Sequence, residues 1–205
     1  MRNLFLLIIL VAFTSCNPKS NFAQSHSSYE QGMLALHKLD STGEQDYKTA
    51  LLEFNEAVNQ DSKHIQSRYW KSYCELRLGK LDDALKTSVL AINILNKSNS
   101  ELLPYFLITA GLIEKVNNNF INSNEYFEKA KSIYENRLKS NKNDVDAIMN
   151  NATILCYMGK KDVAIEFVNS ISVDEKNHAL LLQIRDQIED FDKEEILQKI
   201  KNNVW

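Results

Sequence analysis

Glycine and proline are scarce in this chain, with five glycines and two prolines among 205 residues. Proteins rich in strands and tight turns need both residues, so their scarcity argues against a β fold and favours long helices. Leu, Ile, Lys, Glu, Asn and Ala dominate instead, and most of these are good helix formers. Asparagine runs such as residues 117–119 mark loops between helices, because the short amide competes for backbone hydrogen bonds. The composition therefore predicts an all-α protein.

The chain also lacks an excess of positive charge, since 24 Lys and Arg stand against 27 Asp and Glu. Binding to nucleic acid needs a basic surface against the phosphate backbone, so the charge balance predicts no nucleic-acid partner. With 25% charged and 44% hydrophobic residues, the composition is typical of one or two ordinary soluble domains.

Residue constellations typical of enzymes are missing from the sequence. The four histidines are scattered, and none has a second His or Cys at metal-ligand spacing. No glycine-rich phosphate loop and no nucleophile elbow occurs. We therefore expect a non-enzymatic protein without a cofactor or a metal centre. The histidines are His26, His37, His64 and His178.

A run of ten apolar residues lies near the N-terminus, at residues 4–13. Ten residues of helix measure about 15 Å, half of a hydrocarbon core of about 30 Å, so this segment is too short for a permanent membrane anchor. The run follows a short positive start that includes Arg2 and precedes small residues, which is the layout of a secretory signal. We expect residues 1–15 to be a signal peptide that is cleaved.

The tetrapeptide Phe13-Thr14-Ser15-Cys16 resembles the lipobox of bacterial lipoproteins, with phenylalanine where that family most often has leucine. The resemblance implies that Cys16 becomes the acylated first residue of the mature protein. The protein would then be held at the cell membrane or the outer membrane, with its domain in the periplasm or at the cell surface. Several acyl chains, at about 0.8 kcal/mol per buried methylene, make such attachment effectively permanent. The alternative is an ordinary signal peptide with an incidental cysteine.

Residues 16–27 are polar, contain Pro18 and show no helical period. Such a segment is typical of a flexible tether, here between the lipid and the folded domain. The folded domain is then expected to comprise residues 28–205.

A pattern of small and apolar residues recurs along this domain. Each copy of the pattern consists of three residues: a small residue, a second residue four positions later, and a third residue three positions after the second. The first residues of successive copies are 34, 39 and 41 positions apart. A recurrence of this kind indicates a repeat protein. The four copies are Ala50, Phe54 and Ala57; Ala84, Ser88 and Ala91; Ser123, Phe127 and Ala130; and Ala164, Val168 and Ile171.

The repeat resembles the tetratricopeptide repeat, a pair of antiparallel helices A and B with a period of 34 residues. The most specific matches are residues 78–85 and 158–165, which look like the turn from helix A to helix B in that family. Gly79 and Gly159 then end helix A in the left-handed conformation, and a small residue early in helix B lets the two backbones approach closely. The resemblance implies a right-handed all-α solenoid of four helix pairs, at about residues 28–62, 65–97, 104–137 and 145–173.

Further positions of the chain bear on this resemblance. Gly32 and Gly111 fall at the close-packing position of helix A, whereas Ser72 and Ala152 replace this glycine in the other two repeats. Residues 177–205 carry aliphatic side chains at helical spacing on an otherwise polar background. We expect them to form helices that cap the open end of the solenoid, because repeat arrays need a polar end for solubility.

Two cysteines lie within the repeats, Cys74 in helix A of the second and Cys156 in helix A of the fourth. A solenoid separates these helices by a whole unit, which is too far for a disulfide. The resemblance therefore implies two buried thiols that act as small hydrophobic side chains.

In the tetratricopeptide family, ligands lie in the concave groove lined by the A helices. Carrying the groove positions over to this chain places five tyrosines and two cations there, together with Leu76 and Leu112. Such a surface would suit an extended peptide of apolar and acidic character. The alternative is that several of these side chains only pack between neighbouring helices. The predicted partner-binding residues are Tyr29, Tyr69, Tyr73, Arg77, Tyr105, Lys115 and Tyr157.

Together these features predict a membrane-tethered scaffold or adaptor of the bacterial cell envelope that binds a peptide or protein partner in its groove. Its contacts are then an unidentified protein or peptide, and the membrane through the lipid on Cys16. An envelope lipoprotein that binds a small molecule or a polysaccharide is the alternative hypothesis, because tyrosines on a concave surface also stack on sugar rings.

Overall fold

The computed structural model describes residues 18–38, 45–96 and 100–204, with side chains from residue 23 onward. Cys16 and the expected signal peptide lie outside the described residues, so cleavage and acylation stay predictions. In the described part of the chain, no helix combines the length and the apolar content that crossing a membrane requires. The described residues form ten α-helices. These are α1 (Pro18–His37), α2 (Tyr47–Gln60), α3 (Ile65–Arg77), α4 (Leu81–Leu95), α5 (Leu103–Val116), α6 (Phe120–Ser140), α7 (Val145–Tyr157), α8 (Lys161–Ser170), α9 (Glu175–Glu189) and α10 (Lys193–Asn202).

Each helix packs against the next one in the chain, from α1 against α2 through to α8 against α9. Contacts also join helices two apart, α3 with α5 and α7 with α9. For α1 to α9, packing between near neighbours in sequence is typical of a solenoid of stacked helix pairs. The predicted all-α solenoid is therefore confirmed. Its four pairs are α1 with α2, α3 with α4, α5 with α6, and α7 with α8.

Residues in the left-handed region end the first helix of three pairs. Gly79 has a φ of +71° and Gly159 a φ of +79°. The backbone N–H of Lys80 reaches back across the first of these turns and donates to the carbonyl oxygen of Glu75 at 2.8 Å. Side chains are strained at such φ values, which explains the glycines. Asn118, with a φ of 63°, takes this place after α5, since asparagine tolerates the left-handed region.

The first residue of each pattern copy is fully buried where the second helix of a pair crosses the first. A small side chain at this position lets the two backbones approach closely, as the repeat pattern predicts. In the third pair the serine also forms a hydrogen bond, with Ser123 Oγ donating to the carbonyl oxygen of Gly111 at 2.8 Å. The four buried residues are Ala50, Ala84, Ser123 and Ala164.

Large and small side chains are matched across each crossing. A β-carbon at Gly32 would lie 2.6 Å from Cε1 of Phe54, so the ring occupies the space that a side chain would need. In the second pair Ser72 replaces the glycine and Ser88 replaces the phenylalanine, and their Oγ atoms lie 2.8 Å apart. Departures from the repeat pattern therefore compensate each other. The same matching holds for Gly111 with Phe127 and for Ala152 with Val168.

Helix α1 begins at Pro18, where the sequence predicted a flexible tether over residues 16–27. Ser25 is fully buried, and its Oγ donates to the carbonyl oxygen of Ala57 on α2 at 3.0 Å. Residues 18–27 therefore lie in a helix where the sequence predicted a flexible tether, and the small Ser25 side chain finds its hydrogen bond on α2.

The two C-terminal helices take different positions. Helix α9 packs against α7 and α8 and buries Leu181, Ile184 and Ile188, so it covers the end of the solenoid as expected. Helix α10 packs against α5 instead, and Ile200 is buried in a cluster that also contains Leu76. Helix α10 therefore lies over the second and third pairs, because the apolar residues clustered there bury its aliphatic side chains.

Candidate protein-binding groove

A continuous row of aromatic rings crosses α2, α3 and α5. The ring of Tyr73 lies 6.0 Å from that of Tyr47 and 5.8 Å from that of Trp70. Tyr69 continues the row, with its ring 5.1 Å from Trp70 and 5.8 Å from Tyr105. Neighbouring rings meet edge to face, at interplanar angles of 62° to 88°, an arrangement that aromatic pairs prefer. These five residues are called the aromatic row below.

All five side chains of the aromatic row are partly buried. Their packing fixes the rings while part of each ring stays accessible. Burial raises the pKa of Tyr69, and burial together with Tyr73 raises the pKa of Tyr47 to about 12. The phenols therefore stay neutral at physiological pH, which suits contact with apolar groups.

Arg77 lies at the Tyr47 end of the row. Its guanidinium carbon is 4.6 Å from the centroid of the Tyr47 ring, and Nη1 donates to Tyr73 Oη at 3.0 Å. Contact with two rings fixes the guanidinium in place. This end of the row therefore carries a positive charge in a fixed position.

Tyr105 ends the row in a polar network on α6 and α7. Its hydroxyl donates to Asp146 Oδ1 at 3.1 Å, and Asp146 Oδ2 lies 2.9 Å from Nη1 of Arg137. Arg137 also binds both carboxylate oxygens of Asp144, at 2.9 and 2.8 Å. Burial and the Asp146 carboxylate raise the pKa of Tyr105 to about 12. The network holds the hydroxyl, so the ring of Tyr105 is the part available for binding.

Two of the predicted groove tyrosines are partly buried and lie outside the aromatic row. The ring of Tyr29 lies 5.3 Å from that of His64 and 6.0 Å from that of Phe54. Tyr157 meets Phe191 edge to face at 5.3 Å, and burial raises the Tyr157 pKa. Both side chains fill interfaces between helices. The predicted residues that the structure brings together are Tyr69, Tyr73, Arg77 and Tyr105.

Helix α10 covers the part of the groove near the C-terminal ends of α3 and α5. Leu76 and Leu112, at two of the expected groove positions, are buried in one cluster with Ile200 of α10. Lys115 lies beside the start of α10, where burial and the charge of Lys193 lower the Lys115 pKa. Lys115 is therefore partly buried beside both Lys193 and Glu194 of α10, and the charge of Glu194 acts on its pKa in the opposite direction. The chain itself fills this stretch of the groove.

A second surface cleft, of about 970 Å³, lies between α6 and α8. Leu155 and Phe167 contribute apolar surface to it, and lysines and glutamates form its rim. Asn151 also lines this cleft, and its buried Oδ1 has no hydrogen-bond partner among the described residues. No sequence motif marks the cleft, so sequence reasoning did not identify it.

The two cysteines of the repeats are buried free thiols, as the resemblance implied. Burial raises the pKa of Cys74 to about 12 and that of Cys156 to about 11. At neutral pH both thiols are protonated and behave as small apolar side chains. Within residues 18–38, 45–96 and 100–204, no three His, Cys, Asp or Glu side chains are grouped so as to hold a metal ion.

Comparison with known proteins identifies no family for this chain. No family model matches it, and no curated protein matches it. Among solved structures, it is similar to a thermophilic TPR protein of Thermus thermophilus, with 13% sequence identity and a TM-score of 0.48 over 92% of each chain.

Two members of the aromatic row, Tyr47 and Trp70, were absent from the predicted groove set. The groove positions of the tetratricopeptide family, which the sequence resembles, all lie on the first helix of a pair. Tyr47 is in the first turn of α2, the second helix of its pair. Antiparallel packing of α2 and α3 places this turn beside the C-terminal end of α3, and so beside Arg77. Trp70 could have been found, because it lies three residues before Tyr73 on the same helix.

Proposed function

We propose that the chain is a membrane-tethered scaffold or adaptor of the bacterial cell envelope that binds a peptide or protein partner through its concave groove. The observation that carries this proposal is the aromatic row. Five partly buried rings on three helices form a rigid apolar surface, and large rigid side chains concentrate binding energy in protein interfaces. Arg77 adds a cation at one end, which favours an acidic group at that end of the partner.

The packing of the row favours a peptide over a polysaccharide or a small molecule. A sugar ring stacks on the open face of an aromatic ring. In the row, the rings of Tyr69, Trp70 and Tyr73 meet one another edge to face, so much of their face area is already in contact. The irregular surface between them fits branched apolar side chains better than a flat sugar, and sugar binding is therefore the second candidate.

The membrane part of the proposal is supported by the lipobox-like residues 13–16. A lipid on Cys16 would hold the repeats close to the membrane, because helix α1 already begins at Pro18. A partner would then be met at the membrane surface and not at the end of a long flexible arm.

Crosslinking and affinity purification from bacterial membranes tests the proposal. The wild-type chain should recover a specific envelope protein, and Tyr73→Ala should recover less of it. Tyr126→Ala is the matched control, because Tyr126 is a partly buried tyrosine of α6 outside the row. Calorimetric titration with oligosaccharides tests the second candidate. Full recovery by a folded Tyr73→Ala chain would count against the groove and would direct attention to the cleft between α6 and α8.

A further inference from the structure

Helix α10 occupies the groove in the manner of a bound peptide. Ile200 is 1% exposed and is buried in one cluster with Leu76 and Leu112. Ile196 and Leu197 pack against the same cluster. The other side chains of the helix are charged or polar, and nearly all of them are exposed. One apolar stripe against the repeats and one solvated face is the arrangement of an amphipathic helix held in a groove.

The two ends of α10 reach the turns of two different helix pairs. Lys193 Nζ lies 3.6 Å from the place of a β-carbon on Gly159, and Cγ of Asn203 lies 2.9 Å from the same place on Gly79. The helix therefore runs from the turn of the fourth pair, across α5, to the turn of the second pair. Gly79 is two residues beyond Arg77, so α10 ends near the C-terminal end of α3.

The apolar contacts that hold α10 are fewer than those of its neighbour. Helix α9 fully buries three aliphatic side chains, whereas α10 buries only Ile200. Segments with few buried apolar contacts open most readily from a folded protein.

The link between α9 and α10 has its own attachments. Phe191 packs against Tyr157, and Lys161 Nζ donates to the carbonyl oxygens of Glu189 and Phe191 at 2.6 and 3.0 Å. These contacts hold the link to the fourth pair and do not involve α10 itself. Helix α10 can therefore leave the groove while the link stays in place.

We propose that α10 is an intramolecular ligand, and that the partner presents an amphipathic helix that replaces it. The replacing helix carries aliphatic residues at the spacing of Ile196, Leu197 and Ile200, and polar residues elsewhere. This inference rests on the proposed function of the groove, but it concerns a separate step, the release of α10.

The test uses the full mature chain and a fluorescent peptide of residues 192–204. Substitution Ile200→Asp in the chain should release α10, so the peptide should bind this variant at least tenfold more tightly than it binds the wild-type chain. A peptide that carries the same Ile200→Asp substitution should not bind. The matched control is Leu180→Asp, because Leu180 is an exposed aliphatic residue of α9; this chain should behave as wild-type.

Hydrogen exchange of the wild-type chain gives a readout that needs no variant. Backbone amides of α10 should exchange faster than those of α9, and this measurement can still refute the inference if Ile200→Asp fails to fold. Equal protection of α10 and α9 would overturn the inference, and so would a folded Ile200→Asp chain with no gain in peptide binding. If the opened chain binds the peptide but recovers no envelope protein, the proposed function and the partner helix fail, and only the intramolecular binding of α10 stands.

Discussion

Gly32 lies so close to Phe54 that a β-carbon on the glycine would be 2.6 Å from Cε1 of the ring. In an open helix, replacing glycine by alanine stabilises by about 1 kcal/mol, because alanine loses less backbone entropy on folding. At position 32 the close Phe54 ring reverses the sign of this stability change. Gly32→Ala should destabilise the protein by about 1 to 3 kcal/mol, since the ring has to shift, and urea unfolding followed by circular dichroism measures the change.

A second substitution identifies the cause of that loss. Phe54→Val alone should cost roughly 2 to 4 kcal/mol, because it leaves a cavity. In the double variant the new methyl group fills part of this cavity, as Ala152 does beside Val168 in the fourth pair. The double variant should therefore lose less stability than the sum of the two single variants. Strict additivity would show that the two positions do not share space.

The helix pairs could be predicted because their signals are local. Gly79 and Gly159 end helices through the conformation of one residue each, whatever the rest of the chain does. The position of α10 depends instead on the core that Ile200 shares with Leu76, which is distant in sequence. No local pattern in α10 distinguishes a cap from a helix that returns to the groove, so this part of the fold required the structure.

The site was predictable to a similar degree. Helical spacing places Tyr69, Tyr73 and Arg77 on one face of α3, four residues apart. The neighbours of these residues depend on packing between helices. Tyr47 joins the row through the contact of α2 with α3, and Tyr157 is covered because the chain turns back after α9. Sequence therefore identified the side chains of one helix face, and tertiary packing decides which of them a partner can reach.

The buried thiols predict a loss of stability at alkaline pH. Burial raises the pKa of Cys74 to about 12 and that of Cys156 to about 11, from an ordinary value of 9.0. Above about pH 9 the unfolded chain releases thiol protons that the folded chain retains, so the free energy of unfolding falls as pH rises. Urea midpoints should therefore be lower at about pH 10 than at about pH 8.

Replacing both cysteines by alanine distinguishes the contribution of the thiols to this pH dependence from that of the tyrosines. Tyr47 and Tyr105 also have pKa values raised to about 12, but from an ordinary value of 10.0, so their contribution begins about one pH unit higher. The double alanine variant should keep its urea midpoint up to about pH 9.5. A decrease that starts at the same pH as in the wild-type chain would mean that the thiols are not responsible.

Acylation of Cys16 predicts a defined mature N-terminus. Mass spectrometry of protein extracted from membranes should find a first residue at position 16 that carries acyl chains. Cys16→Ser should shift the protein to the soluble fraction, because without the acyl chains the membrane attachment is lost. An unmodified chain that starts at another residue and is recovered from the soluble fraction would contradict the lipid anchor.

Tyr73 lies in the middle of the aromatic row and should be a hot spot for the partner. Tyr73→Ala should weaken binding by about 2 kcal/mol or more, as truncation of a central aromatic anchor does. Tyr73→Phe is the conservative control, since it keeps the ring that meets Tyr47 and Trp70 and removes only the hydroxyl that accepts from Arg77. Circular dichroism must show both variants folded. Equal losses in the two variants would assign the binding energy to the hydroxyl and not to the ring.

Arg77 should control the rate at which an acidic partner associates. Its guanidinium is held over the Tyr47 ring, so a charge of opposite sign at this position changes the potential that the approaching partner meets. Arg77→Glu should slow association with an acidic partner. Added salt should slow association of the wild-type chain, because it screens attraction, and should speed association of the variant, because it screens repulsion. Stopped-flow measurements at low and high salt give both rates.

Lys86→Glu makes the same charge change at an exposed position of α4, outside the groove, and should leave the salt dependence nearly as in the wild-type chain. If the two variants change the association rate equally, the effect comes from net charge, and the partner does not approach along the Arg77 end of the row.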